Sequence, residues 1–417
     1  SAMAAPCRAP SLLLREAGHR AHGRRRAGLP GPLLRRPPRR RRGFASMVPP
    51  GEMWSLPRQE SVIGSASLDW ASLGFEYVPT SGHVRHHWKD GRWDSGRFAA
   101  DPFISVHILG NVFHYGQSLF EGFKVFHTRD GSICTFADGM SHARMAHGCR
   151  RFRMPVLPLE VWEGAIDMAV RRNAAFVPPY GTGGALYVRP LIFGSGARLG
   201  LGPSPEYTFC VMTNPVGSYY RTGTMQALDA LVNDKYDRAA PLGCGDCKAA
   251  GNYAADLESM HRAKHQGYPI SLYLDARERR YVEEFNTSNF VAITKDGRYL
   301  TPHAPRSVLA SNTNRVLRQL ASDLGLAVEQ RPIDFEAEVD SFAEVGAVGT
   351  AVVVTPIRSL TRGDQTWRFG EPEVLQRLHE RVRAVQQGEE EDRHGWLREV
   401  PLVAEVDKAM LSIYPGL

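Results

Sequence analysis

A single lysine in a run of small residues is the first candidate for covalent chemistry. Lys248 lies in the stretch GCGDCKAAGNY (residues 243–253), with glycines before it and alanines after it. An amine in a closed pocket can lose its proton and attack a carbonyl carbon, whereas a lysine beside glycines is more often an exposed turn residue. The local sequence leaves both interpretations open, and the rest of the chain has to decide between them.

The same stretch contains a Cys-x-x-Cys pair directly before the lysine. Cys244 and Cys247 have no second Cys-x-x-Cys pair elsewhere in the chain, which argues against the usual four-ligand zinc site. A thiol-redox protein is one alternative, and small buried thiols beside a packed site are another. Six cysteines in 417 residues do not indicate a disulfide scaffold. We therefore predict no metal site.

Positive charge is concentrated at the N-terminus. Residues 1–46 contain twelve arginines, no lysine and one acid, a balance of +11, so the rest of the chain has a balance of −4 within the total of +7. An arginine-rich, acid-poor segment is typical of a mitochondrial transit peptide. The dense run Arg35–Arg42 also suits a nucleic-acid-binding arm, and a non-native extension is a third interpretation. We expect a mitochondrial location if the segment is native and a cytoplasmic one otherwise.

The rest of the composition is that of an ordinary globular protein. Hydrophobic residues make up 43% of the chain and charged residues 23%. No apolar run approaches the roughly 18 residues of a membrane span. Because the body is mildly acidic, we expect neither a nucleic-acid partner nor a membrane partner.

The order of helix and strand patterns predicts an α+β protein, a two-domain α/β arrangement. Asp130-Gly131 between two apolar runs predicts a β-hairpin. Ile104–Gly116 alternates and predicts a strand, while Asp138–Cys149 and Pro158–Phe176 are patterned as helices. Strand meanders mixed with helices favour α+β over a doubly wound sheet. The predicted segments are an N-terminal extension over 1–46, a small N-terminal α/β domain over 47–213, an interdomain loop over 214–224 and a large C-terminal domain over 225–417.

Five stretches of the chain combine aromatic, acidic and small residues around this lysine. They keep one order over roughly residues 60–400, and although each is weak alone, together they are a strong signal. The five are FHYGQSLFEGFKVF (113–126), ALYVRP (185–190), GDCKAAGNYA (245–254), EEFNTSNF (283–290) and GTAVVVTPI (349–357). In this order they resemble the branched-chain aminotransferases, fold-type IV enzymes that use pyridoxal phosphate.

The resemblance implies an activity and an assembly. The family transfers the amino group of leucine, isoleucine or valine to 2-oxoglutarate, giving branched 2-oxo acids and glutamate, through a pyridoxal 5′-phosphate Schiff base that would form on Lys248. A neighbouring subunit completes the active site in this family, so the resemblance implies a homodimer. It also implies a small N-terminal domain and a larger C-terminal cofactor-binding domain. Alternatives with the same fold are D-amino acid aminotransferase and 4-amino-4-deoxychorismate lyase.

The resemblance also assigns cofactor contacts. Glu284 would face the ring nitrogen, because a protonated nitrogen needs a carboxylate opposite it, and Glu283 would point to the other face of the strand. Tyr253 would hydrogen-bond the phenolic oxygen. A helix start, an arginine and a hydroxyl would bind the phosphate. The expected phosphate ligands are Arg144, the amides of Thr313 and Asn314, and Thr350.

Substrate contacts follow from the same motifs. An apolar wall suits leucine, isoleucine and valine side chains, although an aromatic stripe is more often core than pocket. Arg189, in the string YVRP, would help to accommodate glutamate, and this string favours the branched-chain group over the two alternatives. The expected pocket consists of Tyr115, Phe120, Tyr187 and Arg189, with the amides of Thr350 and Ala351 on the substrate α-carboxylate.

Overall fold

A computed structural model of the chain describes residues 63–217 and 225–402. The arginine-rich segment 1–46 and most of the predicted interdomain loop lie outside these residues. Within the described part, no helix is both long enough and apolar enough to cross a bilayer.

The first sheet is antiparallel and is built mainly from the first half of the chain. Its two central strands pair over their full length, from Ala185 opposite Val216 to Gly194 opposite Tyr207. On the first of these strands Leu186, Val188 and Ile192 are fully buried and alternate with partly exposed side chains, as β-geometry requires of a strand covered on one face. The strands are β1 (His83–Lys89), β2 (Arg92–Trp93), β3 (Arg97–Ala99), β4 (Ser118–Phe120), β5 (Phe123–His127), β6 (Ile133–Phe136), β7 (Ala185–Gly194) and β8 (Glu206–Val216).

The second sheet is mixed and curls until two of its strands meet. Its order is β11-β10-β9-β16-β15-β12-β13-β14, with β17 beside β16. β11 also pairs with β12 through Glu284 opposite Asn289, so six of these strands form a closed ring. The strands are β9 (Leu228–Asn233), β10 (Ile270–Leu274), β11 (Val282–Phe285), β12 (Asn289–Thr294), β13 (Tyr299–Pro302), β14 (Val328–Arg331), β15 (Phe342–Gly349), β16 (Val353–Arg362) and β17 (Gln365–Arg368).

Helices cover both sheets with apolar stripes. On the second long helix of the first half, Trp162, Ala165, Ile166 and Ala169 recur every three or four residues and are fully buried. The helices are α1 (Asn111–Tyr115), α2 (Asp138–Arg151), α3 (Leu159–Arg172), α4 (Ala250–Ala254), α5 (Leu257–His265), α6 (Asn312–Asp323), α7 (Phe335–Glu338) and α8 (Glu373–Gln386), with short 3-10 turns at Ala174–Phe176 and Val339–Ser341.

The end of the described chain returns to the first sheet. The last strand, β18 (Leu397–Glu399), pairs with β6, so the first sheet has the order β18-β6-β5-β7-β8-β1-β2, with β3 beside β1 and β4 beside β7. The residues predicted as the C-terminal domain therefore also contribute to the N-terminal sheet. Strand β8 extends through Val216, inside the predicted loop 214–224. The domain boundaries themselves stay a prediction.

The α+β class is confirmed, and so are the hairpin and the two long helices. β5 and β6 pair antiparallel around Asp130-Gly131, and α2 and α3 occupy the predicted helical segments. The strand predicted over Ile104–Gly116 is wrong, because Asn111–Tyr115 is helical. Asn111 is held there by side-chain hydrogen bonds to Gln117 and to the carbonyl of Gly202, tertiary contacts that override the alternating pattern.

Candidate active site

A cleft of about 700 Å³ collects most of the predicted site residues. The first sheet and its flanking segments contribute aromatic and arginine side chains, and the second sheet contributes the strand β11 and the loop between β15 and β16. The predicted residues that line it are Phe120, Arg144, Tyr187, Arg189, Lys248, Tyr253, Glu284, Thr350 and Ala351.

The Lys248 amine lies inside this cleft. Its Nζ donates to the Tyr253 hydroxyl at 2.9 Å and lies 4.8 Å from the centre of the Phe120 ring. The backbone around it is fixed to β4, because the Phe120 amide donates to the Lys248 carbonyl at 3.1 Å. Loss of water around the amine, reinforced by the Arg144 guanidinium, lowers the pKa of Lys248 to about 8. Such an amine is partly neutral near physiological pH and can act as a nucleophile or a base.

Glu284 is buried at the closure of the second sheet. One carboxylate oxygen accepts from Arg238 Nη1 at 2.8 Å and from the Leu309 amide at 2.8 Å, and the other accepts from Asn289 Nδ2 at 2.7 Å. Burial raises the pKa of Glu284, an effect that Arg238 opposes. The site therefore holds one carboxylate in a fixed orientation. The sequence did not identify Arg238, and Asn289 served there only as a spacing marker.

Arg144 reaches the cleft as half of a buried ion pair. Its Nε and Nη2 each donate at 2.7 Å to the two oxygens of Glu121, which is fully buried, and its Nη1 donates to the Ala310 carbonyl at 2.9 Å. Such a two-point bond fixes the plane of the guanidinium. Glu121 was not among the predicted site residues. The signal was available, because this acid lies between apolar residues in the motif SLFEGF.

Another part of the cleft wall combines two aromatic rings with the guanidinium of Arg189. The Arg189 guanidinium lies 5.0 Å from the centre of the Phe120 ring and 5.2 Å from that of Tyr187, and it donates to the Tyr187 hydroxyl at 3.1 Å. Phe75 packs edge-on against Tyr187. The Arg189 Nε is buried without a hydrogen-bond partner. Arg189 therefore has an N–H donor without an acceptor beside an apolar wall, and a ligand anion could accept a hydrogen bond from it.

A buried lysine, Lys124, is hydrogen-bonded to the loop between β15 and β16. Thr350 and Ala351 line the cleft, and the next strand begins with Val353, whose φ of 73° is unfavourable for a β-branched residue. Lys124 Nζ donates to the Ala351 carbonyl at 2.6 Å. Burial, together with the nearby Arg383, lowers the pKa of Lys124 to about 7. The strained loop is thus fixed by a side chain that sequence reasoning did not identify.

Three predicted residues are not brought to the cleft wall. Tyr115 lies on the exposed helix α1, and its hydroxyl donates to the Leu199 carbonyl. The Asn314 amide donates to Ser311 Oγ, which caps α6, and the Asn314 side chain is buried against Tyr299. Thr313 lines a small neighbouring cavity of about 20 Å³, which shares Thr350 with the cleft. The cap explains why Asn314 is unavailable, since its amide already has an acceptor.

Comparison with known proteins places the chain in a family. The family model of class IV aminotransferases matches residues 118–360, more than half of the chain. The branched-chain-amino-acid aminotransferase of Haemophilus influenzae is 36% identical over 343 residues, covering 80% of this chain and 99% of that protein. Transaminase htyB of Aspergillus rugulosus is 37% identical over 354 residues, covering 80% of this chain and 93% of that protein.

Solved structures agree with the sequence comparison. The branched-chain amino acid aminotransferase of Escherichia coli superposes with a TM-score of 0.61 at 28% identity, covering 76% of this chain and 99% of that chain. The resemblance inferred from the five motifs is thereby confirmed, as is the fold-type IV architecture. The chain belongs to the class IV aminotransferase family.

Proposed function

We propose that this protein is a branched-chain amino-acid aminotransferase that transfers the amino group of leucine, isoleucine or valine to 2-oxoglutarate. The observation that carries the proposal is the wall formed by Phe120 and Tyr187 with Arg189 beside it. The two amino acids of such a reaction differ in kind, since one has an apolar side chain and glutamate has a second carboxylate. An aromatic wall with one available cation can receive both.

The side chains that line the cleft are of the types needed to bind pyridoxal phosphate, the cofactor of this family. Lys248 supplies an amine with a lowered pKa, Tyr253 a phenol next to it and Glu284 a buried carboxylate. Arg144 and the capping residue Ser311 lie on the same cleft, where they would hold the phosphate. When bound, the cofactor supplies an electron sink for the bond that is broken at the substrate Cα.

The protein's own groups would handle the proton. The Lys248 amine, released from covalent attachment, is the base in the cleft, and the Tyr253 hydroxyl at 2.9 Å keeps it oriented. Burial raises the pKa of Tyr253 to about 12, so this hydroxyl stays protonated at neutral pH. A neutral amine can accept the Cα proton of the substrate and return it to a different carbon.

The loop that contains Thr350 and Ala351 would orient the substrate. Their amides are proposed to bind the α-carboxylate, while the side chain points toward Phe120 and Tyr187. With glutamate, Arg189 Nε would gain the acceptor that it lacks in the structure. Both substrates would then use one carboxylate position and differ only at the aromatic wall.

We further propose that the protein acts as a homodimer. Large apolar side chains that are 60 to 81% exposed cluster on the segments around α1 and after β7. These two segments are joined, because the Arg198 amide donates to the Leu109 carbonyl. An exposed apolar area of this kind marks a protein interface, and Tyr115 within it would reach a partner's cleft. The exposed residues are Phe103, Ile108, Phe113, Leu199 and Leu201.

Localisation depends on a segment outside the described residues. We propose a mitochondrial location if residues 1–46 are native, on their arginine-rich, acid-poor composition. Import of a fluorescent protein fused to these residues tests the proposal, and a cytosolic signal contradicts it.

The test of the proposed activity is an assay of the purified protein with pyridoxal phosphate and 2-oxoglutarate. We expect glutamate to form with leucine, isoleucine and valine, and the visible spectrum of the bound cofactor to change on addition of leucine. A protein that stays colourless after incubation with the cofactor contradicts the proposal. A coloured protein that is indifferent to leucine but responds to D-alanine is instead a D-amino acid aminotransferase.

Replacing Lys124 with methionine separates stability from substrate orientation. The substitution removes a buried charge, so we expect the free energy of unfolding at pH 6 to rise by about 1–4 kcal/mol. Between pH 7 and 10.5 the folded wild-type protein binds fewer protons at this lysine than the unfolded chain, so the wild-type protein becomes more stable as pH rises. The stability advantage of Lys124→Met should therefore shrink over this range. The loop loses its anchor, and kcat/KM for leucine should fall about 10- to 100-fold.

The control for this prediction is Lys124→Arg, which keeps a donor for the Ala351 carbonyl. We expect it to retain more of the wild-type kcat/KM than the methionine variant. Denaturant unfolding at several pH values and steady-state kinetics give the two readouts. Unchanged kinetics in Lys124→Met would show that the loop does not depend on this anchor.

A further inference from the structure

Three side chains of metal-ligating type meet outside the cleft, where α2 faces the segment before Lys248. His147 Nε2 lies 2.8 Å from Asp246 Oδ2, and Cys247 Sγ lies 3.6 Å from Asp246 Oδ1. Their ligand atoms all lie within 4.8 Å of one another. Across residues 63–217 and 225–402, this is the one group of three or more such side chains that comes together so closely.

The residue types select a particular class of ion. Imidazole nitrogen, carboxylate oxygen and thiolate sulfur are the ligands of zinc, whereas magnesium and calcium prefer oxygen alone. Bond lengths of about 2.0–2.3 Å in a tetrahedral site place ligand atoms roughly 3.3–3.8 Å apart. The observed separations span this range, and the His147 ring, which contacts Asp246, is about half exposed.

We propose that His147, Asp246 and Cys247 form a binding site for a zinc-class divalent ion. Binding replaces the contact between His147 and Asp246 with bonds to the ion and releases the thiol proton of Cys247 to solvent. The exposed side, where His147 lies, leaves the fourth position to water. The sequence argued against a zinc site because it contains no second Cys-x-x-Cys pair. It could not show that α2 brings His147 next to Asp246 and Cys247.

The site connects two elements of the cleft. Arg144 is on α2 one helical turn before His147, and Cys247 directly precedes Lys248. A bound ion would therefore cross-link the segment that carries the cleft arginine to the segment that carries the amine. This consequence rests on the proposed function, in which the Lys248 amine must leave its covalent attachment and act as the base. We expect the ion to slow transamination.

The experiment is a calorimetric titration of the tag-free, pyridoxal-phosphate-loaded protein with zinc chloride in a non-chelating buffer. We expect one ion per chain, and at least a 10-fold weaker affinity in His147→Ala, whose exposed position should leave folding intact. Asp246→Asn should weaken binding in the same direction. Matched controls are Cys244→Ser, three residues from Cys247, and His303→Ala, an exposed histidine outside the group. Both should keep the wild-type affinity.

Two results would overturn the site: no zinc binding, or the same affinity in His147→Ala as in the wild-type. Equal binding of magnesium would overturn the ion class. Turnover with leucine is measured in parallel, with and without zinc. If zinc binds but leaves turnover of the wild-type protein unchanged, the expected slowing of transamination is refuted. The calorimetry tests the site even if the protein proves not to be an aminotransferase.

Discussion

Lys248→Ala should lower the turnover of leucine with 2-oxoglutarate by at least about 10⁴-fold, because one amine serves as both nucleophile and base. The visible absorption of the bound cofactor should also be lost or displaced, since the buried amine that would attach it is gone. Binding groups such as Glu284 and Arg144 are untouched, so the variant should still bind the cofactor reversibly. Absorption spectroscopy and steady-state kinetics on the same preparation check both expectations.

A second lysine provides a matched control. Lys264 on α5 lines the same cleft, but its side chain is exposed. We expect Lys264→Ala to keep the absorption band and most of the activity. If instead Lys264→Ala loses both and Lys248→Ala keeps them, the covalent role belongs to Lys264. Retained transamination in Cys247→Ser would in addition exclude a thiol-based reaction.

The pH dependence of Lys248 gives an independent readout. Its pKa of about 8 in the folded protein, against an ordinary value of 10.5, means that the amine becomes neutral as pH rises through about 8. In the cofactor-free protein, its labelling by an amine-reactive reagent should follow that midpoint. The unfolded chain binds more protons between pH 8 and 10.5, so the stability contribution of this group rises across that window. A labelling midpoint near 10.5 would contradict the desolvated environment.

Local sequence rules predicted the parts of the site that depend on neighbours along the chain. Strand alternation separated Glu284, which lines the cleft, from Glu283, which does not. The contact between Lys248 Nζ and the Tyr253 hydroxyl, at 2.9 Å, was not predicted this way, because only the family resemblance placed Tyr253 at the cofactor. The relation between Glu283 and Glu284 could be predicted because it needs only the geometry of a strand.

The residues that were missed act across long separations in sequence. Glu121 meets Arg144, and Lys124 reaches Ala351, 227 residues away. A buried charge is readable from sequence only as an acid or lysine in an apolar run, and its partner cannot be read at all. The same limit applies to Asn314. Its backbone amide was predicted to bind the cofactor phosphate, but in the structure it donates to Ser311 Oγ. Which donor is already occupied depends on the folded structure.

The second large effect is expected from Arg238, the partner of Glu284. The pair is almost fully enclosed, with side-chain exposures of 7% and 3%, and it is joined at 2.8 Å. Arg238→Ala would leave a buried carboxylate without its cation, which costs about 3–5 kcal/mol of folding free energy. The exposed pair Arg262–Glu258 is the control, and its arginine-to-alanine variant should leave the free energy of unfolding close to that of the wild-type.

Arg238→Ala should also change the charge of Glu284, the residue that we propose faces the cofactor ring. Burial already raises the pKa of Glu284, and removing the cation that opposes this effect raises it further. A larger fraction of the carboxyl groups would then be protonated, and a protonated carboxyl group cannot balance a protonated ring nitrogen. Because Asn289 and the Leu309 amide still hold the group in place, the lost activity should return partly at higher pH, where the carboxylate ionises again. A variant that is destabilised yet transaminates like the wild-type at neutral pH would assign Arg238 to folding alone.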